Sequence, residues 1–127
     1  MRLVLTALIF AGGLMYLLLG IGFLLNPASA GADFGLSAEG AQGLASMRAD
    51  LTAFFVVAAG SMVIGAWRRN GDLLLVAAAL FATALLGRFV GLFADGTWDG
   101  MAVPMLVEAV TVIVLLIASR VLPHRIG

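Results

Sequence analysis

The chain has 127 residues, of which 63% are hydrophobic and only 11% are charged, and its formal net charge is zero. Because soluble domains carry about a quarter charged residues, this composition excludes an ordinary soluble domain. The balanced charge indicates no nucleic-acid partner, and the absence of cysteine and lysine excludes disulfides, thiolate sites and Schiff-base chemistry.

Four apolar stretches are long enough to cross a lipid bilayer as helices, which takes roughly 20 residues each. Their length and the lack of period-two alternation argue against membrane strands. In chain order, the spans are predicted at about residues 3–25, 47–67, 73–94 and 102–122. The sequence therefore predicts an all-α protein, a four-helix transmembrane bundle that forms a single domain over residues 1–127.

The first span shares some features with a secretory signal peptide. Arg2 precedes the apolar run, and Ala28-Ser29-Ala30 after it resembles a cleavage site. However, the apolar region of a signal peptide usually has about 7–15 residues, and this run is much longer. We therefore expect the segment to stay in the protein as a membrane span.

The connections between the spans differ in length and charge. Residues 26–46 form a long connection, residues 68–72 a short basic turn and residues 95–101 a short acidic turn. With four spans connected in this way, five of the seven cations lie on the same side of the membrane: Arg2, Arg68, Arg69, Arg120 and Arg125. Since basic loops tend to face the cytoplasm, both termini are predicted to be cytoplasmic. The single histidine, His124, is expected at this interface rather than in a metal site.

Two ionisable residues lie well inside the spans, Arg88 in the third and Glu108 in the fourth. At a rise of about 1.5 Å per residue, both lie roughly 21–22 Å from the cytoplasmic end, so they share one level. Arg48 and Asp50 lie near the outer end of the second span. Embedded charges are costly and tend to pair. We therefore predict a buried charged layer of these four residues, with Arg88 paired to Glu108.

Helical spacing places other polar residues near this layer, in the outer half of the bundle. The residues predicted to line a polar pocket there are Tyr16, Ser61, Asp95 and Thr111. Gly87-x-x-x-Gly91 and Ser61-x-x-x-Gly65 offer small residues for close helix packing. No cluster of ligands has the spacing of a metal site, so no metal is predicted.

A combination of short motifs carries a family resemblance. Arg48-Ala49-Asp50 is followed by Gly87-Arg88-Phe89-Val90-Gly91 with Asp95-Gly96 after it, and then by Glu108 in the last span. In this order and spacing, the motifs resemble a bacterial family of four-span membrane proteins of unknown function, distantly similar to the DoxX-like proteins. The resemblance covers nearly the whole chain. It implies a multi-pass protein of the bacterial inner membrane with the charged layer as its signature, but no reaction.

Two classes of function remain open. A small chain in the lipid bilayer with short loops suits a non-catalytic accessory subunit or assembly factor of a larger membrane complex, or a homo-oligomer. Alternatively, the charged layer lines a pocket for a small lipophilic molecule, such as a quinone, a sterol-like molecule or a lipid. Arg48 and Arg88 would then hold its head group, with Tyr16 as a hydrogen-bond donor. The Arg88–Glu108 pair also fits a purely structural role that fixes helix register.

An isomerase of lipophilic substrates is a third hypothesis, with Glu108 and Asp50 as acid–base groups. The proximity of Arg88 to Glu108 and the lack of a histidine inside the membrane argue against it. No catalytic residue and no cofactor is therefore predicted. A proton-coupled transporter would use the same residues, but four spans would have to oligomerise to form a path.

Overall fold

The computed structural model describes residues 2–123, and within this range the chain is helical without strands. The α-helices are α1 (Arg2–Leu25), α2 (Pro27–Ala32), α3 (Gly40–Ser46), α4 (Thr52–Trp67), α5 (Gly71–Asp95) and α6 (Ala102–Val121). A π-helical turn, Met47–Leu51, joins α3 to α4. His124 and Arg125, for which the sequence predicts an interfacial position, lie outside the described residues.

Four helices in the described range are long and apolar enough to cross a membrane. They are α1, α5, α6 and the continuous helix Gly40–Trp67, which contains α3, the π-helical turn and α4. Their outward faces carry large apolar side chains, including Leu18, Leu86 and Phe93, which is 86% exposed. Such faces suit contact with lipid chains rather than with water. The predicted all-α fold with four membrane-spanning helices is confirmed.

The four long helices pack as a ring. α1 packs mainly against α4, α4 against α5 and α5 against α6, whereas α6 touches α1 much less. The buried face of α1 has helical spacing and consists of Ile9, Gly13, Tyr16, Gly20 and Phe23. The ring therefore closes weakly between α1 and α6, a boundary that we call the α1–α6 seam.

Glycines decide where the helices approach most closely. A Cβ atom at Gly13 would lie 2.8 Å from Val63 Cγ2 and 3.2 Å from the Val63 backbone nitrogen. A Cβ atom at Gly20 would likewise lie 3.1 Å from Val56 Cγ2 on α4. In contrast, a Cβ atom at Gly87 would meet nothing within 4 Å. The predicted packing role of Gly87-x-x-x-Gly91 is therefore wrong, because Gly87 lies on the exposed side of α5.

The two ends of the bundle are built differently. The end with Arg2, residues 68–70 and Pro123, which we call the closed end, is held by backbone hydrogen bonds and a helix cap. Asn70 caps α5 by accepting from the backbone of Asp72 and Leu73, and Gly71 N donates to Pro123 O at 2.7 Å. The opposite end carries residues 26–46 and 96–101, and we call it the open end. It gives access to the interior of the bundle.

Candidate functional site

A cavity of about 810 Å³ extends from the middle of the bundle to the open end. Side chains from all four long helices line it. Small-molecule sites in proteins usually have volumes of about 300–1,000 Å³, mostly apolar walls and a few polar groups. The cavity thus has the size and character of a site for one small lipophilic molecule.

Aromatic rings form the inner part of the cavity wall. Tyr16 and Phe81 have ring centroids 4.6 Å apart, and Phe54 meets Phe81 edge-on at 5.5 Å. Phe55 contacts Phe54 at 5.1 Å and completes the cluster. Because edge-to-face and tilted ring pairs are favourable arrangements, the rings of this apolar wall stabilise one another.

Arg88 and Glu108 are the charged residues inside the cavity. Arg88 Nε donates to Glu108 Oε1 at 2.6 Å. Glu108 is only 8% exposed, while 35% of the Arg88 side chain remains exposed. Since a guanidinium group carries five N–H bonds and Glu108 receives the one on Nε, Arg88 keeps N–H groups on both terminal nitrogens for other partners.

Arg88 also separates two cavities. A second cavity of about 220 Å³ lies between α5, the 96–101 turn and α6, and Arg88, Asp95 and Trp98 contribute to its wall. Trp98 and Arg88 line the larger cavity as well. The structure thus places Asp95, predicted in a single polar pocket, in this smaller neighbouring space.

Tyr16 and Thr111 form a hydrogen bond across the α1–α6 seam. Their hydroxyl oxygens lie 2.9 Å apart, and Thr111 Oγ1 also donates to Val107 O at 2.7 Å. A hydroxyl group has a single proton, so in this arrangement Tyr16 is the donor and Thr111 the acceptor. Tyr16 then presents an acceptor oxygen to the cavity instead of the donor that the sequence suggested. Thr111 lies behind it and outside the cavity lining.

Replacing Tyr16 with Phe is expected to lower the free energy of unfolding by about 0.5–1 kcal/mol, since it removes one hydrogen bond between membrane helices. Thr111→Val should cost a similar amount, and the double variant should cost little more than either single one. Thr83→Val is the matched control, because Thr83 donates only within its own helix, to Ala79 O. Unfolding by sodium dodecyl sulfate, followed by circular dichroism, measures these effects. Fully additive losses would contradict the assigned bond.

The structure does not bring Arg48 and Asp50 to this pair. Both residues are exposed, and neither contributes to the wall of the 810 Å³ cavity. Arg48 Nε instead donates to Leu24 O at 2.9 Å, in the last turn of α1. A cation is favourable there because the last carbonyl groups of a helix have no partner within it. The predicted layer of four charges is thus reduced to Arg88 and Glu108.

The local helix geometry accounts for the position of Asp50. At regular helical spacing, Asp50 would share a face with Phe54, four residues later. However, Asp50 lies within the π-helical turn Met47–Leu51, whose different hydrogen-bond spacing interrupts the regular helical phase. Phe54 therefore lines the cavity while Asp50 does not. Ser61, which was predicted to line the polar pocket, is half-buried and also lies outside the cavity lining.

The mouth of the cavity consists of residues that sequence reasoning did not assign to a site. Asp33 and Phe34 come from residues 26–46, and Trp98 and Asp99 come from the turn between α5 and α6. Phe34 packs on Phe23 with a centroid distance of 5.4 Å, which holds the long connection against the bundle. The sequence signal that could have identified Phe34 is that it is a lone aromatic residue within a segment rich in Gly, Ala and Ser.

Comparison of the chain with protein-family models, with curated proteins and with solved structures gives no match. The resemblance to the DoxX-like proteins therefore stays a prediction. Among residues 2–123, no group of three or more His, Cys, Asp and Glu side chains is placed to hold a metal ion. The cavity and its charged pair thus carry the functional inference.

Proposed function

We propose that this protein binds one small lipophilic molecule in the 810 Å³ cavity, with the polar group of that molecule next to Arg88 and Glu108. The observation that supports this most is a large apolar cavity with a charged pair in its wall. Ionisable residues inside a membrane usually mark functional sites, because they are costly to insert. A quinone, a sterol-like molecule and a membrane lipid all belong to this ligand class.

A purely structural role for the charged pair does not account for the cavity. Protein interiors are normally close-packed, and an ion pair that only fixes helix register does not require a space of this size beside it. A pair that only fixed helix register would be compatible with a filled core around it. The space beside Arg88 and Glu108 therefore favours an occupant over a scaffold role.

The proposal includes an orientation in the membrane. Basic residues lie at the closed end, namely Arg2, Arg68, Arg69 and Arg120, and acidic residues lie at the open end, namely Asp33, Glu39, Asp95 and Asp99. By the positive-inside rule, the closed end faces the cytoplasm, and so do both termini. The cavity mouth then faces outward, and the family resemblance makes the membrane a bacterial inner membrane.

Native mass spectrometry of the mildly solubilised protein tests the proposal. Ala84 lines the cavity, four residues before Arg88, whereas Ala82 is exposed on the same helix and lies outside the lining. We expect wild type and Ala82→Trp to carry a small molecule of the same mass. Ala84→Trp should weaken binding at least about tenfold, which corresponds to a loss of about 1.4 kcal/mol in binding free energy, and so lower the occupancy of the cavity.

Two results would contradict ligand binding. One is a wild-type chain that carries no small molecule, and the other is equal occupancy in Ala84→Trp and Ala82→Trp. A second polypeptide at a fixed ratio to an empty wild-type chain would support the accessory-subunit hypothesis instead.

A further inference from the structure

We infer that the cavity selects uncharged lipophilic molecules whose polar group accepts hydrogen bonds, and that it discriminates against anionic lipids. This inference rests on the proposed function, because it names the chemical class of the ligand for the same cavity. It follows from the charges and the hydrogen-bond donors that line the cavity.

Negative charges outnumber positive ones around the cavity. Arg88 is the cation among its lining residues, while Asp33, Asp99 and Glu108 contribute carboxylates. The negative charges thus exceed the positive ones by two. A surface lined mainly by one sign of charge lowers the local concentration of ligands of that sign. Asp33 and Asp99 are exposed at the mouth, so an anionic head group meets them before it reaches Arg88.

The positive charge of Arg88 is already balanced inside the protein. Its Nε lies 2.6 Å from Glu108 Oε1, and the buried carboxylate belongs to the chain itself. A ligand carboxylate or phosphate next to Arg88 would add a second anion beside Glu108, in surroundings where charges are poorly screened. Arg48 cannot offset this anion, because its side chain is directed to Leu24 O at the end of α1.

Arg88 is nevertheless the main side-chain hydrogen-bond donor within the bundle part of the cavity. The Tyr16 hydroxyl donates to Thr111, and the Thr83 hydroxyl donates to Ala79 O. The terminal nitrogens of Arg88 retain N–H groups, and these form strong, charge-assisted hydrogen bonds. A ketone, ester or ether oxygen accepts such a bond without adding charge. The site therefore fits an uncharged acceptor best.

The natural tryptophans provide a direct probe of binding. Trp98 lines the cavity mouth, whereas Trp67 lies at the closed end and is 77% exposed. Since the chain has two tryptophans, Trp67→Phe leaves Trp98 as the sole reporter. The full chain with this change is reconstituted in zwitterionic lipid nanodiscs. Saturable changes in Trp98 fluorescence are then measured, with protein-free nanodiscs correcting for membrane partitioning.

Three probes with the same undecyl tail differ only in the head group: methyl undecyl ketone, dodecanoate and undecyltrimethylammonium. The titrations are made at a pH where dodecanoate is fully ionised. We expect the ketone to bind at least about tenfold more tightly than dodecanoate at equal concentration in the membrane. Tightest binding of dodecanoate or of the ammonium probe would overturn the inference.

Charge variants test the cause of the selectivity. Glu108→Gln keeps an acceptor for Arg88 Nε but removes the balancing charge, so dodecanoate should bind at least about tenfold more tightly than to the parent chain. Asp33→Asn with Asp99→Asn changes exposed residues at the mouth, and it should strengthen the binding of dodecanoate relative to that of the ketone. Unchanged dodecanoate binding in folded variants would contradict the electrostatic cause.

The failure of this inference is distinguishable from the failure of the proposed function. Equal binding of all three probes, with saturation at Trp98, would leave the cavity as a lipophilic site without head-group selectivity. No saturable signal from any probe would count against the proposed function and the inference together.

Discussion

Replacing Glu108 with Leu is expected to lower the free energy of unfolding by about 2–3 kcal/mol. This is less than the usual cost of about 3–5 kcal/mol for breaking a fully buried ion pair, because 35% of the Arg88 side chain remains exposed. The change removes the carboxylate that accepts from Arg88 Nε at 2.6 Å. It leaves the guanidinium group unpaired against an apolar cavity inside the membrane. Unfolding by sodium dodecyl sulfate in mixed micelles, followed by circular dichroism, measures the loss.

A double variant separates the effect of the ion pair on stability from the effect of changing the size of either side chain. Arg88→Met together with Glu108→Leu removes both charges, and we expect most of the lost stability to return. Glu39→Leu is the control for a carboxylate that lies at the open end and is exposed, and it should change stability by less than about 0.5 kcal/mol. Additive losses in the double variant would show that the two charges do not stabilise each other.

Gly13→Ala is expected to destabilise the bundle by about 1–3 kcal/mol, because added volume in a well-packed helix contact forces the backbone to move. The new Cβ atom would lie 3.2 Å from Val63 N, which is backbone and cannot rotate away. The sign of this stability change is informative, since a Gly→Ala replacement within a helix normally stabilises a protein by roughly 0.5–1 kcal/mol. The same detergent titration measures the change.

Gly60→Ala and Gly87→Ala are the matched controls for Gly13→Ala. Both glycines lie within long helices, and a Cβ atom at either would meet nothing within 4 Å. These variants should be neutral or slightly stabilised, since they gain helix propensity without a clash. If Gly13→Ala behaved like them, the close contact of α1 with α4 would not contribute to stability.

The positions of Gly13 and Gly20 also have consequences for the ligand site. Tyr16 lies between them on the buried face of α1. The close approach of α1 to α4 places the ring centroids of Tyr16 and Phe55 6.2 Å apart. In this position, the Tyr16 hydroxyl reaches Thr111 on α6. The tight helix contact therefore positions one wall of the cavity.

The fold was predictable because membrane insertion depends on properties that are local in sequence. A bilayer accepts runs of roughly 20 apolar residues as helices, whatever their tertiary contacts. The level shared by Arg88 and Glu108 follows from the helical rise, and their side chains lie 2.6 Å apart in the structure. Tyr16, predicted to line the pocket from its helical spacing, likewise lies on the buried face of α1.

Two features of the site were not predictable, because they depend on the path of the backbone. The π-helical turn Met47–Leu51 changes the helical phase before α4, and no proline or glycine within those residues marks it. The long connection places Asp33 and Phe34 at the cavity mouth through a contact of Phe34 with Phe23. Phe34 stands out as the lone aromatic residue of residues 26–46, but the sequence does not indicate that Phe23 is its partner.

The contrast between the two ends of the bundle indicates where its helices separate most easily. Gly71 at the closed end fits so closely against α6 that a Cβ atom there would lie 2.7 Å from Ser119 O, so α5 and α6 are held tightly together at this end. Across the α1–α6 seam, Tyr16–Thr111 is the side-chain hydrogen bond that joins the two helices in the described residues. Weakly packed regions open at the lowest cost in free energy. Spreading α1 from α6 would thus let the tail of a molecule enter from the surrounding lipid while its head group passes the cavity mouth.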